Sequence, residues 1–358
     1  MISERALRGY LLEEALAWML RGSAYDLLVS VDQDPDELVP HGADLLVRGR
    51  GANHQVDVLG QFSFTPAFSL PVRLFLEAKF NNTACSLGVV RNAFGVIQDV
   101  NQNFVIDHRS ARPKRRFQYC YALFSTKGFS PAAQDFALAH QISLVDLSGK
   151  SFETLLDVVS GNARTLHSAI EHYPRKSLPV AWIRGRLRSL LGTDPMGTDT
   201  APSDQLADGY DLTGTAEFFY DAQDVLNRFA LDLQGVEIEL LIGFPAAPFV
   251  IPLTTTDKTG FLRYADTHSS HRVQLRRSGD GSQAEWVASP YGDSGGYDLR
   301  FTLPQEMESW IGENEDLRRT RTASVKADWL SDIMIYYQAN GGVRACQLRY
   351  EPSQLRRP

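Results

Sequence analysis

The chain has 358 residues, 43% of them hydrophobic and 22% charged, with a net charge of −7. That length fits two globular domains, each long enough to bury a core. Lys and Arg balance Asp and Glu over residues 1–180, so residues 181–358 carry all of the negative charge; an acidic chain argues against general adhesion to nucleic acid but leaves room for a local basic surface on the neutral half.

Residues 9–21 are expected to form a helix, because Leu12, Ala15, Leu16, Met19 and Leu20 fall at helical spacing. Glu13 and Glu14 interrupt any apolar run there, which speaks against a signal peptide. Residues 23–30 look like a short strand and are followed by an acidic loop. A short apolar run at 43–47 and a turn at 49–51 lead to residues 55–60, read as one strand carrying a single acid, Asp57. Residues 71–80 read as a second strand, nearly continuously apolar up to Glu77, as in a strand buried on both faces. A long helix (86–105), a buried strand (119–125), a helix from the Ser130 cap and Pro131 to His140, and a last strand (142–147) follow. This order predicts an α/β domain with a central mixed sheet flanked by helices.

Residues 152–173 add a further helix, and the Gly, Thr, Asp, Pro and Ser content of 192–209 marks a linker. Beyond it the pattern predicts a helix (213–229), strands at 236–242, 249–253, 272–276, 285–288 and 297–302, a helix (325–337) and a strand (343–350). The expected division is a first domain over 1–178, a linker region over 179–209, and a β-rich α+β domain over 210–358 that regulates the first or binds a partner. No run of about 18 apolar residues occurs. Cys85, Cys120 and Cys346 are odd in number and match neither a zinc spacing nor a disulfide framework. They are expected to be buried in a reducing cytosol, so the expected location is cytoplasmic, without a membrane partner.

The chemistry centres on Asp57, then Glu77-Ala78-Lys79. Residues two apart on a strand project from one face, so Glu77 and Lys79 point at one spot. Asp57 joins them if the two strands pair. The carboxylates offer hard oxygen ligands to Mg²⁺, and the Ala78 carbonyl offers a third. A metal there acidifies water and offsets charge on a phosphate, with Lys79 orienting the attacking water. The same spacing also occurs at solvated strand edges. Three ionisable groups ending apolar strands favour a site, since buried charge is costly without a metal or partner.

Three stretches, Gly9-Tyr10-Leu11-Leu12-Glu13, His54-Gln55-Val56-Asp57-Val58-Leu59 and Leu76-Glu77-Ala78-Lys79-Phe80, resemble the motifs of Mrr-like restriction endonucleases in the PD-(D/E)XK nuclease superfamily. The stretches at 122–129 and 142–146 are also similar, and the resemblance covers roughly residues 5–150. It implies a restriction-endonuclease-like domain that cuts DNA with Mg²⁺, or with Mn²⁺ in its place, in prokaryotic restriction or anti-phage defence. Asp57 and Glu77 would bind the metal, Lys79 would assist catalysis, and Glu13, or its neighbour Glu14, would match the acid on the first helix. Val56 stands where the superfamily's name has a proline. Three alternatives stay open: a catalytically silent binding module, an effector nuclease switched on through the C-terminal half by a ligand or protein partner, and action on RNA or single strands. A homodimer also stays open.

His54 and Gln55 either contact a phosphate or base, or fix the strand start. The insertion at 61–71 is a further candidate for substrate contact. Arg109, Arg112, Lys114, Arg115 and Arg116 form the only dense basic run, suited to nucleic-acid phosphates or to a solvated loop. His268 and His271 are expected at the surface, and the glycines of 279–281 and 292–296 in hairpin turns.

Overall fold

In the computed structural model, Ser3 opens helix α1 (Glu4–Gly22), its hydroxyl accepting the Ala6 N–H at 3.2 Å. The structure describes residues 3–42, 44–65, 67–103, 115–171, 180–194, 215–236, 239–247, 249–279, 284–292, 296–339 and 342–351. The expected apolar stripe of α1 is wider than one face: Leu7, Leu11, Leu12, Ala15, Leu16, Met19 and Leu20 are all buried. A helix buried on several sides is packed between other elements.

After β1 (Tyr25–Leu27) the chain makes a small antiparallel sheet of β2 (Leu38–His41), β3 (Asp44–Arg48) and β4 (Asn53–Val56). It then crosses at Asp57 into β5 (Val58–Phe62). Residues 55–60 are therefore not one strand, as expected, but the end of one sheet and the start of another. The packing supplies the reason. Side chains two apart on a straight strand share a face, yet Val56 and Val58 are buried in separate clusters on opposite sides of the main sheet. A bend between them buries both.

The main sheet runs β1-β5-β6-β7-β8, with β6 (Val72–Lys79), β7 (Gln118–Ser125) and β8 (Ser143–Asp146). Pairing is antiparallel from β1 to β6 and parallel from β6 to β8. The parallel steps require crossovers, supplied by α2 (Leu87–Asn101) and α3 (Pro131–Ala139). The expected helix over 86–105 ends at Asn101, and residues 104 and 105 lie outside those described. Strand β6 is buried on both faces: Leu74, Leu76 and Ala78 join the α1 side, and Phe75 joins the α2 side.

The structure extends the first half beyond its expected end. Residues 180–191, inside the expected linker region of 179–209, form helix α5 (Val180–Leu191), which buries Trp182, Ile183, Arg184, Leu187 and Leu191. Residues 195–209 of that region lie outside those described. Helices α4 (Glu153–Glu171) and α6 (Thr215–Gly235) pack on each other and share the α1 cluster, as do Leu240 and Ile242. One apolar cluster thus continues across the boundary expected at 209/210.

The rest is a closed seven-stranded barrel. Its elements are β9 (Glu239–Pro245), β10 (Ile251–Thr255), α7 (Lys258–Thr267), β11 (Ser270–Ser278), β12 (Glu285–Pro290), β13 (Leu299–Phe301), α8 (Gln305–Gly312), α9 (Arg318–Asp328), β14 (Asp332–Ala339) and β15 (Gly342–Arg349). The helix expected over 325–337 divides into the end of α9 and most of β14. Ile333, Ile335 and Tyr337 are buried alternately inside the barrel, a period of two filled with β-formers. Helices α7 and α8 were not expected. His271 corrects a surface assignment: it is fully buried at an inward position of β11 beside Val273 and Leu275. Its Nε2–H donates to the His268 carbonyl at 2.8 Å, and Nδ1 lies 2.5 Å from the Tyr297 hydroxyl. Cys85 and Cys346 are buried as expected, whereas Cys120 is exposed.

The two halves also meet where α3 faces α8. Gln134 exchanges two hydrogen bonds with Gln305, at 2.8 and 2.9 Å. Glu306 beside them is pushed up to about 7, first by burial, then by its hydrogen bond with Asp135 and that residue's charge. A carboxyl with a raised folded pKa binds its proton more tightly in the folded state. Its stabilising contribution is complete below the ordinary glutamate range and is lost as pH rises towards about 7. Melting temperatures measured from pH 4 to pH 8 are expected to fall less steeply in Glu306→Gln than in the wild type; parallel curves would remove Glu306 as the cause.

Candidate active site

Asp57 sits at the bend between β4 and β5, where its Oδ2 accepts the Ala78 N–H at 2.9 Å. Val58 pairs with Leu76, so the same antiparallel register continued by one residue sets Asp57 across from Glu77. Glu77 and Lys79 leave β6 on the Phe75 side and form an ion pair through Lys79 Nζ and Glu77 Oε1. Tyr121, stacked on Phe75 with ring centroids 5.0 Å apart, donates its hydroxyl to Glu77 Oε2 at 2.6 Å. Both Glu77 oxygens are thus oriented. The pair stays open to solvent, the side chains being 18% and 32% exposed. Ala78 turns its N–H towards Asp57 and away from β7. Backbone alternation in a strand sends the Ala78 carbonyl to the same edge.

The electrostatics follow from partial burial. Burial raises the Asp57 carboxyl, partly offset by the Ala78 amide and Lys79. Burial pulls the Lys79 ammonium down, but the charge and hydrogen bond of Glu77, with Asp57 behind it, outweigh this and leave it raised. Burial, then the Glu77 charge, pushes the Tyr121 phenol up, so it is a lasting donor. Glu13 on α1 is pushed up to about 8 by burial first and the Asp57 charge second, with Arg184 acting against both. Glu14 is 1% exposed and ion-paired to Arg184 and Arg188, at 2.9 and 3.2 Å. The Asp57 charge acts on Glu13, while Glu14 shares a cavity with Asp57. A cavity of about 30 Å³ lies among Glu14, Asp44, Asp57 and Arg184, enough for a water molecule.

Other expected residues have partners of their own. His54 Nε2 lies 2.8 Å from Asp99 Oδ2, and the Asp99 carboxylate also accepts the Gly51 and Ala52 N–H groups at 2.8 and 3.1 Å. This contact ties the start of β4 to α2, and the hydrogen bond of His54 holds the Asp99 carboxyl below its ordinary range. Gln55 donates to Asp44 Oδ2 at 3.0 Å. Arg115 and Arg116 precede the first residue of β7, whose last residue pairs with Lys79. At about 3.3 Å per residue, the length of β7 puts them roughly 20 Å from the Glu77–Lys79 end. Arg112 and Lys114 lie outside the described residues. The insertion at 61–71 also lies at the far end of β5 and β6. Its Phe62 and Phe64 pack on Tyr336 of the barrel, with centroids at 5.1 and 5.7 Å. Sequence reading missed Tyr121, Asp44 and Arg184; for Arg184 the available sign was the i, i+4 spacing to Arg188.

No family model matches the chain, and no curated protein matches it. Among solved structures, it is similar to the crystal structure of a protein of unknown function, at 15% identity and a TM-score of 0.31, covering 61% of this chain and 98% of that one. A superposition that loose carries no argument about fold or activity.

Proposed function

We propose that the chain is a divalent-cation-dependent nuclease with a restriction-endonuclease-like first half, and that it hydrolyses phosphodiester bonds in DNA. The observation that carries this reading is the Asp57–Ala78 hydrogen bond, which ties the Asp57 carboxylate to the strand bearing Glu77 and Lys79. The mixed sheet between α1 and the crossover helices, and the motifs around Glu13, Asp57, Glu77 and Lys79, support the same assignment.

Among the described residues no group of three or more His, Cys, Asp or Glu side chains is arranged to hold a metal ion. Mg²⁺ needs fewer: it keeps several waters and takes one or two carboxylates. Asp57 and Glu77, with the Ala78 carbonyl, fit that donor chemistry. Bound there, the cation supplies an acidified water and neutralises phosphate charge. Tyr121 holds Glu77 in orientation. Lys79, 32% exposed, orients the attacking water and stabilises the charge that develops on the phosphate. Glu13 contributes the acid from α1. We assign to the barrel, which rests on α1, the role of controlling or targeting this site, with a protein partner or ligand as its input. Restriction or anti-phage defence is the setting the motifs favour.

The test is incubation of the full chain with supercoiled plasmid, and with RNA of similar length, in Mg²⁺, Mn²⁺ or EDTA, beside Asp57→Ala. Metal-dependent nicking or linearisation of the plasmid, absent in EDTA and in the variant, is expected. Equal cutting by the variant, or cutting of RNA alone, sinks the DNA nuclease assignment.

A further inference from the structure

We propose that Arg184 is a positioning residue of the Asp57–Glu77–Lys79 site, holding Glu13 and the Asp57 main chain where a divalent cation needs them; this rests on the nuclease reading. Its side chain is 4% exposed and reaches four acceptors on three separate segments. Nη1 is ion-paired with Glu13 Oε2 at 3.0 Å and donates to Asp44 Oδ1 at 2.9 Å. Nε bonds Glu14 Oε1 at 2.9 Å, and Nη2 donates to the Asp57 carbonyl at 3.3 Å.

Two halves of this network do different work. Glu14 is the anchor: Arg184 takes Oε1, while Arg188 Nε donates to Oε2 at 3.2 Å. That carboxylate pins one edge of the guanidinium to α1. The opposite edge is then presented to Glu13, Asp44 and the bend. Glu14 is shared by two arginines, so Arg184 takes the rest of its counter-charge from Glu13 and Asp44. The second half touches the residues that matter for chemistry.

The contact with the Asp57 carbonyl is the most specific of the four. Asp57 is where the chain leaves the three-stranded sheet and enters the main one, so its peptide lies between the two ladders. Holding that carbonyl fixes the peptide whose side chain accepts the Ala78 N–H. A planar guanidinium makes these bonds in set directions; a lysine ammonium is a single point charge and cannot reach all four. Arg184 stands on α5, beyond residues 5–150, so the segment that carries the motifs does not complete its own site.

The experiment measures Mn²⁺ binding to the full chain without nucleic acid, by titration calorimetry and by the Mn²⁺ paramagnetic resonance spectrum. The variants are Arg184→Lys, Arg184→Met, and Arg184→Met combined with Glu14→Gln. In the last, one charge of each sign leaves the buried cluster together, so its net charge stays that of the wild type. Circular-dichroism melts identify the folded variants. These are expected to bind Mn²⁺ about 10- to 100-fold more weakly, the range for removing a group that orients metal ligands, with no rescue by lysine. A purely structural arginine would lower the melting temperature and leave Mn²⁺ affinity unchanged, which overturns the proposal. Tighter binding also overturns it, by making Arg184 a competitor of the cation. Asp57→Ala separates the two levels. If it binds Mn²⁺ as the wild type does, or if neither binds, the nuclease reading fails and takes this inference with it. If only the wild type binds, that reading stands and the Arg184 variants decide.

Discussion

Replacing Lys79 with alanine is expected to lower the initial rate of plasmid cleavage by about 100- to 1,000-fold at saturating Mg²⁺, the loss typical of removing one charge-stabilising group. The fold should survive. Lys79 is partly exposed and its loss leaves Glu77 with the Tyr121 hydrogen bond, so no carboxylate is stranded. An ion pair this open to solvent contributes about 1 kcal/mol or less to stability. Rate and stability are therefore separable at this position, which makes it a cleaner test than Asp57. Glu77→Gln should be at least as damaging to the rate, because an amide keeps the Tyr121 bond but forfeits the charge that a cation needs. Tyr121→Phe should cost far less, since it removes only an orienting hydroxyl. A Lys79→Ala protein that cuts at the wild-type rate would remove the ammonium from the chemistry.

The largest effect on stability is expected in the barrel, at Glu308→Ala. Glu308 is 2% exposed on its side chain, and Arg277 is 8% exposed. Its Oε2 accepts Arg277 Nε at 3.0 Å and Nη2 at 2.7 Å, and its Oε1 accepts the Trp286 indole N–H at 2.5 Å. Alanine would leave the Trp286 indole N–H without its acceptor and the buried Arg277 charge without its carboxylate, only the Nη1 bond to the Gly279 carbonyl remaining, at a cost of about 3–5 kcal/mol. Glu308→Gln keeps one acceptor and should lose less. Urea unfolding followed by tryptophan fluorescence measures both, with Trp286 itself reporting on the contact. A loss below about 1 kcal/mol for alanine would mean that water reaches the two donors and replaces the carboxylate.

Much of the first half was legible because its determinants are local. Strand β6 announced itself by a run apolar on both faces, α3 by Ser130 and Pro131, and the Glu77–Lys79 pair by its spacing. Residues 55–60 misled because the hydrophobic pattern is continuous through Asp57. Only the requirement that Val56 and Val58 serve opposite clusters bends the chain there, and that is a property of the packed sheet. Composition hid α5 for a related reason. Its neighbours at 192–209 are rich in turn formers, while Arg184 earns its burial from Glu13, Glu14 and Asp44, some 140 to 170 residues earlier. The pattern over 325–337 reads as one helix because α9 and β14 follow each other closely and because the barrel interior, which rewards every second residue, is assembled from distant strands. The candidate site splits the same way. Its carboxylates and lysine were readable, its supporting residues Tyr121 and Arg184 were not.

Helix α1 has one more consequence. Its last turn meets the barrel, with Ser23 just beyond it donating to the Leu240 carbonyl at 2.6 Å, and its middle carries Glu13. Ten residues separate the two, about 15 Å at 1.5 Å per residue. A rigid rod of that length, with no loop between its ends, transmits a push without slack. A tilt of a few degrees imposed at the barrel end would displace the Glu13 carboxylate by a sizeable fraction of an ångström, comparable to the tolerance of a metal–oxygen bond.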